Sequence, residues 1–463
     1  MSIPYVYPAC PLNIDHAKLF VIADVFVRHQ RNKGRKVIFP VAAHYSGVAA
    51  HNLTKSFTDI YQKNYKDLTE VERNLQRLYI GYYKTPEYIL KSFVKPEDIL
   101  NYFSQEILWE LKSLGVSCDY ENYYATNLED YSLFVREVLE QYRKKDVLIE
   151  NAKGELALNY DSSTWQAETI AQINKTFFQQ AFHKNNILAA TSNIRNDWGL
   201  LREAGMGVQY QEKWVIDPMF DSELFTLFDL YIHHVHGHKL SQPAKQRLFK
   251  ELITSLASKS HSKNPIIRNI LDDLPCDLFI GEEHLKNWVV KKIYTETLLY
   301  DRKYRTKKYF ITGMGLLDGE RMSASKGHAI LAKDLIKEHN GDIARLVILL
   351  CGGHPSKGYT YDPSLPGQAK KMIHDFIPYY QYILTFDSKN RKIRQKSELH
   401  KKLSGKIEKN LQEGYLKQGV IDLLVTIPKE YRNPTNDEAI VLREFFSSYL
   451  SIFLPDFAKT FMC

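Results

Sequence analysis

The stretch "PACPLNIDHAKLF", Pro8 to Phe20, decides how this chain is expected to fold. It follows a short apolar segment, "IPYVY", that suits a buried strand. From about His16, Leu19, Phe20, Ile22, Ala23, Phe26 and Val27 recur at helical spacing, in an amphipathic run that continues to Lys33. Gly34 supplies the stop, and "KVIFPVAA" then reads as a second buried strand. Strand, turn, helix and strand in that order open a parallel α/β sheet, where ligands bind at the carboxyl ends of the strands. A polar turn there, leading into a helix N-terminus, suits phosphates. Asp15 is the discordant residue, an acid set where a polyanion would arrive.

With 463 residues the chain has room for a large core and two or three domains. Its 30 Tyr and 23 Phe argue against extended disorder. The net charge of +8 permits a partner such as RNA without requiring one. Cys10, Cys118, Cys276, Cys351 and Cys463 form no C-x-x-C pair, which disfavours a thiolate zinc site and a disulfide framework and fits a reducing cytoplasm. No signal peptide is expected. The run "LFVIADVFV", broken by Asp24, falls short of the roughly 20 residues of a membrane span. A cytoplasmic protein without a membrane partner is expected.

From Thr54 to about Asp146 the pattern is helical, and "KTPEYILKSFVKPEDILNYFSQEILWELKSLG" holds two helices, each opened by a proline, with Gly115 ending the second. Ile149 to Asn196 is polar and poorly periodic and reads as a connection. A second α/β portion starts near Pro275, with "CDLFIG" as a strand and "HLKNWVVKKIYTETLLY" as a helix. "KKYFITGMGLLDGERM" has the alternation and Asp-Gly turn of a hairpin. Beyond Pro366 the chain reads as helical.

The later segment "GERMSASKGHAI" is a loop of small hydroxyl residues flanked by Arg321 and Lys326. Such a loop can close over a triphosphate and stabilise charge developing on departing pyrophosphate. In this order, each beside a strand, the turn and the loop resemble the two signatures of class I aminoacyl-tRNA synthetases, commonly written HIGH and KMSKS. Here they read Asn13-Ile14-Asp15-His16 and Arg321-Met322-Ser323-Ala324-Ser325. The resemblance narrows to archaeal and eukaryotic-type leucyl-tRNA synthetases. It is carried by "YVYPACPLNIDHAKLFVIADVFVRHQRNKGRKVIFPVAAHYSG", which ends in His44-Tyr45-Ser46-Gly47 where the family has HxTG. "RNDWGLLREAGMGVQYQEKWVIDPMFDSELF" and "DIARLVILLCGGHPSKGYTYDPS" extend it, collinear over most of residues 3 to 365.

The resemblance implies an α/β, Rossmann-like (HUP-type) parallel-sheet catalytic domain over 1-365. Within it, 54-270 would be a helical connective insertion without an editing domain, and 366-463 an all-α bundle resembling a truncated anticodon-binding domain. It implies activation of an amino acid, leucine or a similar apolar one, by ATP with Mg2+. The acyl group would then pass to tRNA or another acceptor. His16, Asn13, Lys326 and Arg321 take the catalytic roles in this reading. Asp15, Gly281, Glu282, His284, Met322, Ser323 and Ser325 serve ATP, while Tyr7, His44, Asp221 and Ser222 serve the amino acid.

The departures carry expectations of their own. Asp15 replaces the glycine that lies against adenine in the family, Asn13 replaces a histidine, and Ala324 replaces the inner lysine, with Lys326 as the substitute cation. Ile149 to Asn196 is too short for an editing domain, and the family's further C-terminal tRNA-binding extension is expected to be missing. Without proofreading, one methylene discriminates leucine from valine by only ~1–3 kcal/mol, which favours a dedicated acceptor. An adenylating ligase with a non-tRNA acceptor, or a catalytically dead paralogue that binds or regulates, are the alternatives. Three other features have ordinary readings. "HHVHGH" (His233 to His238) falls on a helix end, so no metal is expected. Glu282-Glu283 is an acid/base pair only if the two side chains converge. The run from Lys389 to Lys409, nine cations against two acids, is either a solvated helix face or an RNA contact.

Overall fold

The computed structural model describes residues 1–63, 65–150, 154–159, 165–194, 197–258, 262–386 and 398–462. They form two compact units that interleave along the chain: Met1–Cys10, Ile38–Glu106 and Cys118–Ile311 in the first, Pro11–Val37, Ile107–Ser117 and Thr312–Cys463 in the second.

The first unit is built on short strands, parallel in the pairs that follow and antiparallel in two further small sheets. Ala42–Ala43 pairs in parallel with Tyr124–Ala125, and Asp277–Gly281 lies beside Lys308–Thr312, which pairs in parallel with Phe177–Phe178. The N-terminal segment joins the two halves through isolated parallel bridges, Val6 to Ala43 and Ser2 to Leu278. Of the two expected N-terminal strands, "KVIFPVAA" forms only the two-residue strand Ala42–Ala43, and "IPYVY" forms no strand but an isolated bridge at Val6. Pro40 lacks an N–H, and Pro4 likewise, so neither stretch can sustain an unbroken ladder. Leu278 and Ile280 pack with Ile173, Phe178, Ile187, Trp288 and Val289 in one core cluster.

The stretch Ile149 to Asn196 is not a plain connection. Strands Leu148–Glu150 and Leu156–Leu158 pair antiparallel, and helices Trp165–Lys175 and Ala181–Asn193 flank Phe177–Phe178, a strand of the parallel sheet. Asn196 itself lies outside the described residues. The reason is the chemistry of the buried faces: Trp165, Thr169, Gln172 and Ile173 on one helix, and His183, Ile187 and Thr191 on the other. Polar residues at inward positions hide the period. The span 54–270, expected to be helical, also carries Trp198–Gly199 against Leu156–Leu158 and a small sheet of Leu201–Arg202, Trp214–Ile216 and Gln209–Tyr210.

In the second unit the opening helix, Ile14–Asn32, packs on helices Gly341–Leu350 and Asn436–Phe453. Its end is set by Gly34 at φ +76, and Gly115 at φ +67 follows helix Pro96–Ser113. Arg345 is wholly buried at the centre. It donates to Asp24 Oδ2 at 2.7 Å, to the Leu114 carbonyl at 3.0 Å and to the Phe453 carbonyl at 2.8 Å. The expected hairpin is Gly315–Leu317 with Glu320–Arg321, whereas Lys308–Thr312, read as part of it, belongs to the parallel sheet. Helices Leu365–Leu384, Glu398–Glu413 and Pro455–Met462 bear out a helical C-terminal region. Residues 389–397 of the basic run lie outside the described residues. The rest of that run, on helix Glu398–Glu413, buries Leu403, Ile407 and Leu411 and leaves Lys401, Lys402 and Lys409 with the polar face.

Candidate active site

The second unit brings the two signature segments together. Asn13 forms an antiparallel bridge with Leu331, just beyond the second signature. The Ile14 N–H donates to the Ile330 carbonyl at 2.8 Å, and the Ala332 N–H to the Leu12 carbonyl at 2.9 Å. Buried Glu110 braces both segments, accepting from the Leu12 N–H at 3.1 Å and the Lys333 N–H at 3.2 Å. Asn13 is the N-cap of the opening helix: its Oδ1 accepts from the His16 N–H at 2.9 Å, and its amide keeps two N–H donors. His16 is exposed one turn further on.

Asp15 turns onto protein donors. Its Oδ2 accepts from the Gly315 N–H at 3.0 Å and its Oδ1 from the Tyr359 hydroxyl at 2.7 Å. Burial, and then the Asp15 charge, push the Tyr359 phenol well above its ordinary value, so it stays a donor. The Lys18 ammonium lies 3.9 Å over the Tyr359 ring. Gly315 permits this approach. A Cβ there would overlap the Met322 methyl and lie 2.7 Å from Tyr359 Cζ and 2.8 Å from Asp15 Oδ1.

The second signature follows a tight hairpin. Leu317 opposes Glu320 across Asp318-Gly319, at φ 51 and φ 85, the two positive dihedrals a type I′ turn requires. The Met322 N–H returns to the Gly315 carbonyl at 3.1 Å, and Ser323 and His328 close the loop with reciprocal bonds of 2.6 and 3.0 Å. The Ser323 and Ser325 hydroxyls are 3.2 Å apart. Arg321, Ser325 and Lys326 are exposed, while Met322 and Ala324 are buried. The position expected for an inner lysine therefore faces inward, and Arg321 and Lys326 are the outward cations of this loop.

The first unit holds the remaining candidates. His44 Nε2 is 3.0 Å from Asp221 Oδ1, its Nδ1 is 3.0 Å from the Ser46 hydroxyl, and the Tyr5 ring lies 5.5 Å away, tilted. Asp221 is 1% exposed, and its Oδ2 has no hydrogen-bond partner among the described residues. Burial raises its carboxyl above the ordinary carboxylate value, and His44 opposes the rise. The Ser222 hydroxyl is occupied, accepting from Trp288 Nε1–H at 3.0 Å and donating to the Met219 carbonyl at 3.1 Å. Tyr7 accepts the Ala50 N–H at 2.9 Å through its hydroxyl, whose pKa burial raises. Gly281 ends its strand, and Glu282 and His284 belong to the single turn that follows. Glu283 folds back over Gly281, and its Oε1 lies 3.4 Å from His284 Nε2. His234 pairs with Asp273 at 2.6 Å at the end of helix Phe225–Val235, and among the described residues no three His, Cys, Asp or Glu gather to hold a metal. No helix among them is long and apolar enough to cross a membrane.

Sequence reading assigned no role to Tyr359, Gly315, Lys18, Glu110, Ser46 or Tyr5. Tyr5, Lys18, Ser46 and Tyr359 lie inside the family-like segments, whereas Gly315 and Glu110 lie outside them.

The chain has the fold of the class I aminoacyl-tRNA synthetases. It is similar to a methionyl-tRNA synthetase of Mycobacterium tuberculosis solved with methionyl-adenylate, at a TM-score of 0.63 and 11% identity, over 100% of this chain and 92% of that one. A second structure of that enzyme with methionyl-adenylate gives 0.62 and 12%, with the same coverage. In sequence the chain is similar to leucine–tRNA ligases. It is 27% identical to that of Methanopyrus kandleri over 160 residues, 35% of this chain and 16% of the relative. It is 33% identical to that of Archaeoglobus fulgidus over 135 residues, 29% of this chain and 13% of the relative. The matches thus span a small part of those relatives' length. No family model matches the chain.

Proposed function

We propose that this chain activates an amino acid with ATP and passes the acyl group to an acceptor, in the manner of a leucyl-tRNA synthetase. The observation that carries the reading is the pairing of the first signature turn with the segment behind the second, Asn13 with Leu331 and Ile14 with Ile330. It sets a helix N-terminus, an exposed histidine and a hydroxyl loop with two outward cations in one unit. Those are the groups a polyphosphate needs. Two solved structures of one enzyme with this fold hold methionyl-adenylate.

In this reading the amino-acid carboxylate attacks the α-phosphorus and the bond to pyrophosphate breaks. His16 and the Asn13 amide donate to the phosphates, while Arg321, Ser323, Ser325 and Lys326 neutralise the leaving pyrophosphate, with Met322 seating the loop. Such fixed donors act most strongly where charge develops. Gly281, Glu282 and His284 serve the adenosine. Magnesium would accompany ATP as its counter-ion. Tyr7, His44, Asp221 and Ser222 serve the amino acid, and the unpartnered Asp221 Oδ2 is the acceptor for its ammonium group. The acyl group then moves to a hydroxyl, and AMP leaves.

Pyrophosphate exchange with each of the twenty amino acids is the test, and we expect exchange with an apolar one, leucine first. No exchange with any of them, from folded protein at saturating ATP, rejects activation. Esterification of total tRNA then separates a tRNA acceptor from another one. Binding of a non-hydrolysable adenylate analogue without any exchange would mark a paralogue that binds only.

A further inference from the structure

We propose that Asp15 is a positioning residue: it pins the loop that carries Arg321, Ser323, Ser325 and Lys326 to the N-terminus of the opening helix. The kinetic part of this inference rests on the activation reading; the structural part does not.

Asp15 grips two paired strands at a single register position. Gly315 and Tyr359 are direct partners across the parallel pair Gly315–Leu317 and Tyr359–Thr360, and each gives Asp15 one hydrogen bond. Both donors lie far along the chain, 300 and 344 residues from Asp15, so the contact ties the helix start to a remote piece of sheet. The fit is specific on each side. Gly315 has no side chain to hold the carboxylate away from its N–H, and the Tyr359 ring is flanked by the Lys18 ammonium. From Gly315 the constraint passes to Met322 through the bond from the Met322 N–H to the Gly315 carbonyl, and so into the loop.

The far end of the same loop is held as well. Ile330 and Ala332 pair with Ile14 and Leu12, on either side of Asn13. One short segment, 12–15, therefore grips the loop at its entrance through a side chain and at its exit through the backbone. A glycine at 15 keeps the backbone grip and loses the side-chain one. Both Asp15 oxygens are already engaged by protein donors, and these offset its charge where a polyphosphate would sit.

Hydrogen exchange read by mass spectrometry on the full chain tests this, with Asp15→Gly, Asp15→Asn and Tyr359→Phe. We expect amides within 315–328 to exchange roughly tenfold faster in Asp15→Gly, as loss of charge-assisted bonds implies, with smaller increases in the other two. Asp15→Asn still accepts from Tyr359 but turns an N–H toward Gly315 or loses that bond. Unchanged protection of 315–328 in folded Asp15→Asn and Tyr359→Phe overturns the pin, even if Asp15→Gly does not fold. In pyrophosphate exchange, KM for ATP should rise in Asp15→Gly and in Tyr359→Phe. An unchanged KM overturns the positioning role, and a lower one in Asp15→Gly also marks Asp15 as an obstruction to the nucleotide. If the unmodified chain exchanges nothing, activation is rejected while the protection data still decide the pin.

Discussion

Ala324 and Lys326 sit two residues apart, yet one faces the interior and the other faces water. That difference separates two outcomes. Lys326→Ala should leave the melting temperature unchanged and cut pyrophosphate exchange by about 100-fold, the scale of losing a transition-state donor. Ala324→Lys, which restores the family's inner lysine, should not raise exchange. It forces a long cationic side chain into a buried slot and should lower the melting temperature by about 2–4 °C or more, measured by thermal unfolding. The sequence made the positions of Asn13, His16, Arg321 and Lys326 legible, because each lies in a short local motif. It could not reveal what Asp15 does, since both of its donors lie hundreds of residues away and neither Gly315 nor Tyr359 advertises a partner. Asp229 is a second case. It is buried, bonded to the Tyr124 hydroxyl at 2.8 Å and the Ser2 hydroxyl at 3.1 Å, and burial pushes its carboxyl up to about 7.

Elements differ in how openly they announce themselves. The opening helix was legible because apolar residues recur at helical spacing and glycine follows its end, although Phe20 to Val27 are buried without interruption and leave no polar face there. Helices Trp165–Lys175 and Ala181–Asn193 were not, because their buried faces include Thr, Gln and His. The hairpin turn was legible from Asp318-Gly319 alone, the strongest short-range signal of its kind. Packing of whole elements left a subtler mark. Helix Gly341–Leu350 begins against the Ser113 carbonyl at the end of helix Pro96–Ser113, and a Cβ on Gly341 would overlap that backbone oxygen. Backbone cannot step aside as a flexible side chain can. Gly341→Ala should therefore cost about 1–3 kcal/mol despite alanine's better helix propensity, read from the urea midpoint at unchanged m.

For the molecule as a whole, buried charge sets both stability and its response to pH. Burial alone would raise the Asp24 carboxyl, but Arg345, Arg28 and the Ser117 bonds outweigh it and hold the group below the ordinary carboxylate value. Arg345→Met removes the centre of that network and should cost about 3–5 kcal/mol, since Asp24 and three carbonyls lose a donor. The signs oppose each other along the pH axis. Asp24, depressed in the folded state, contributes stability above its unfolded pKa and loses it in acid. Asp229, at about 7, and Asp342, pushed to about 6 by burial and by Asp456, are raised. Their contribution is complete below the unfolded pKa and is lost as pH rises through about 6 to 7. Stability should thus decline from mildly acidic toward alkaline pH, and Asp229→Asn should flatten that decline by roughly 2–4 kcal/mol in urea titrations at pH 5 and pH 8. The interleaving of the two units has a consequence for synthesis. The opening helix, with Phe20, Val21, Ala23, Val25 and Val27 destined for burial, is translated well before two of the helices it packs on, Gly341–Leu350 and Asn436–Phe453. Until those two helices emerge, that apolar surface lacks part of its native cover, which makes the nascent chain a natural client for chaperones that shield hydrophobic segments.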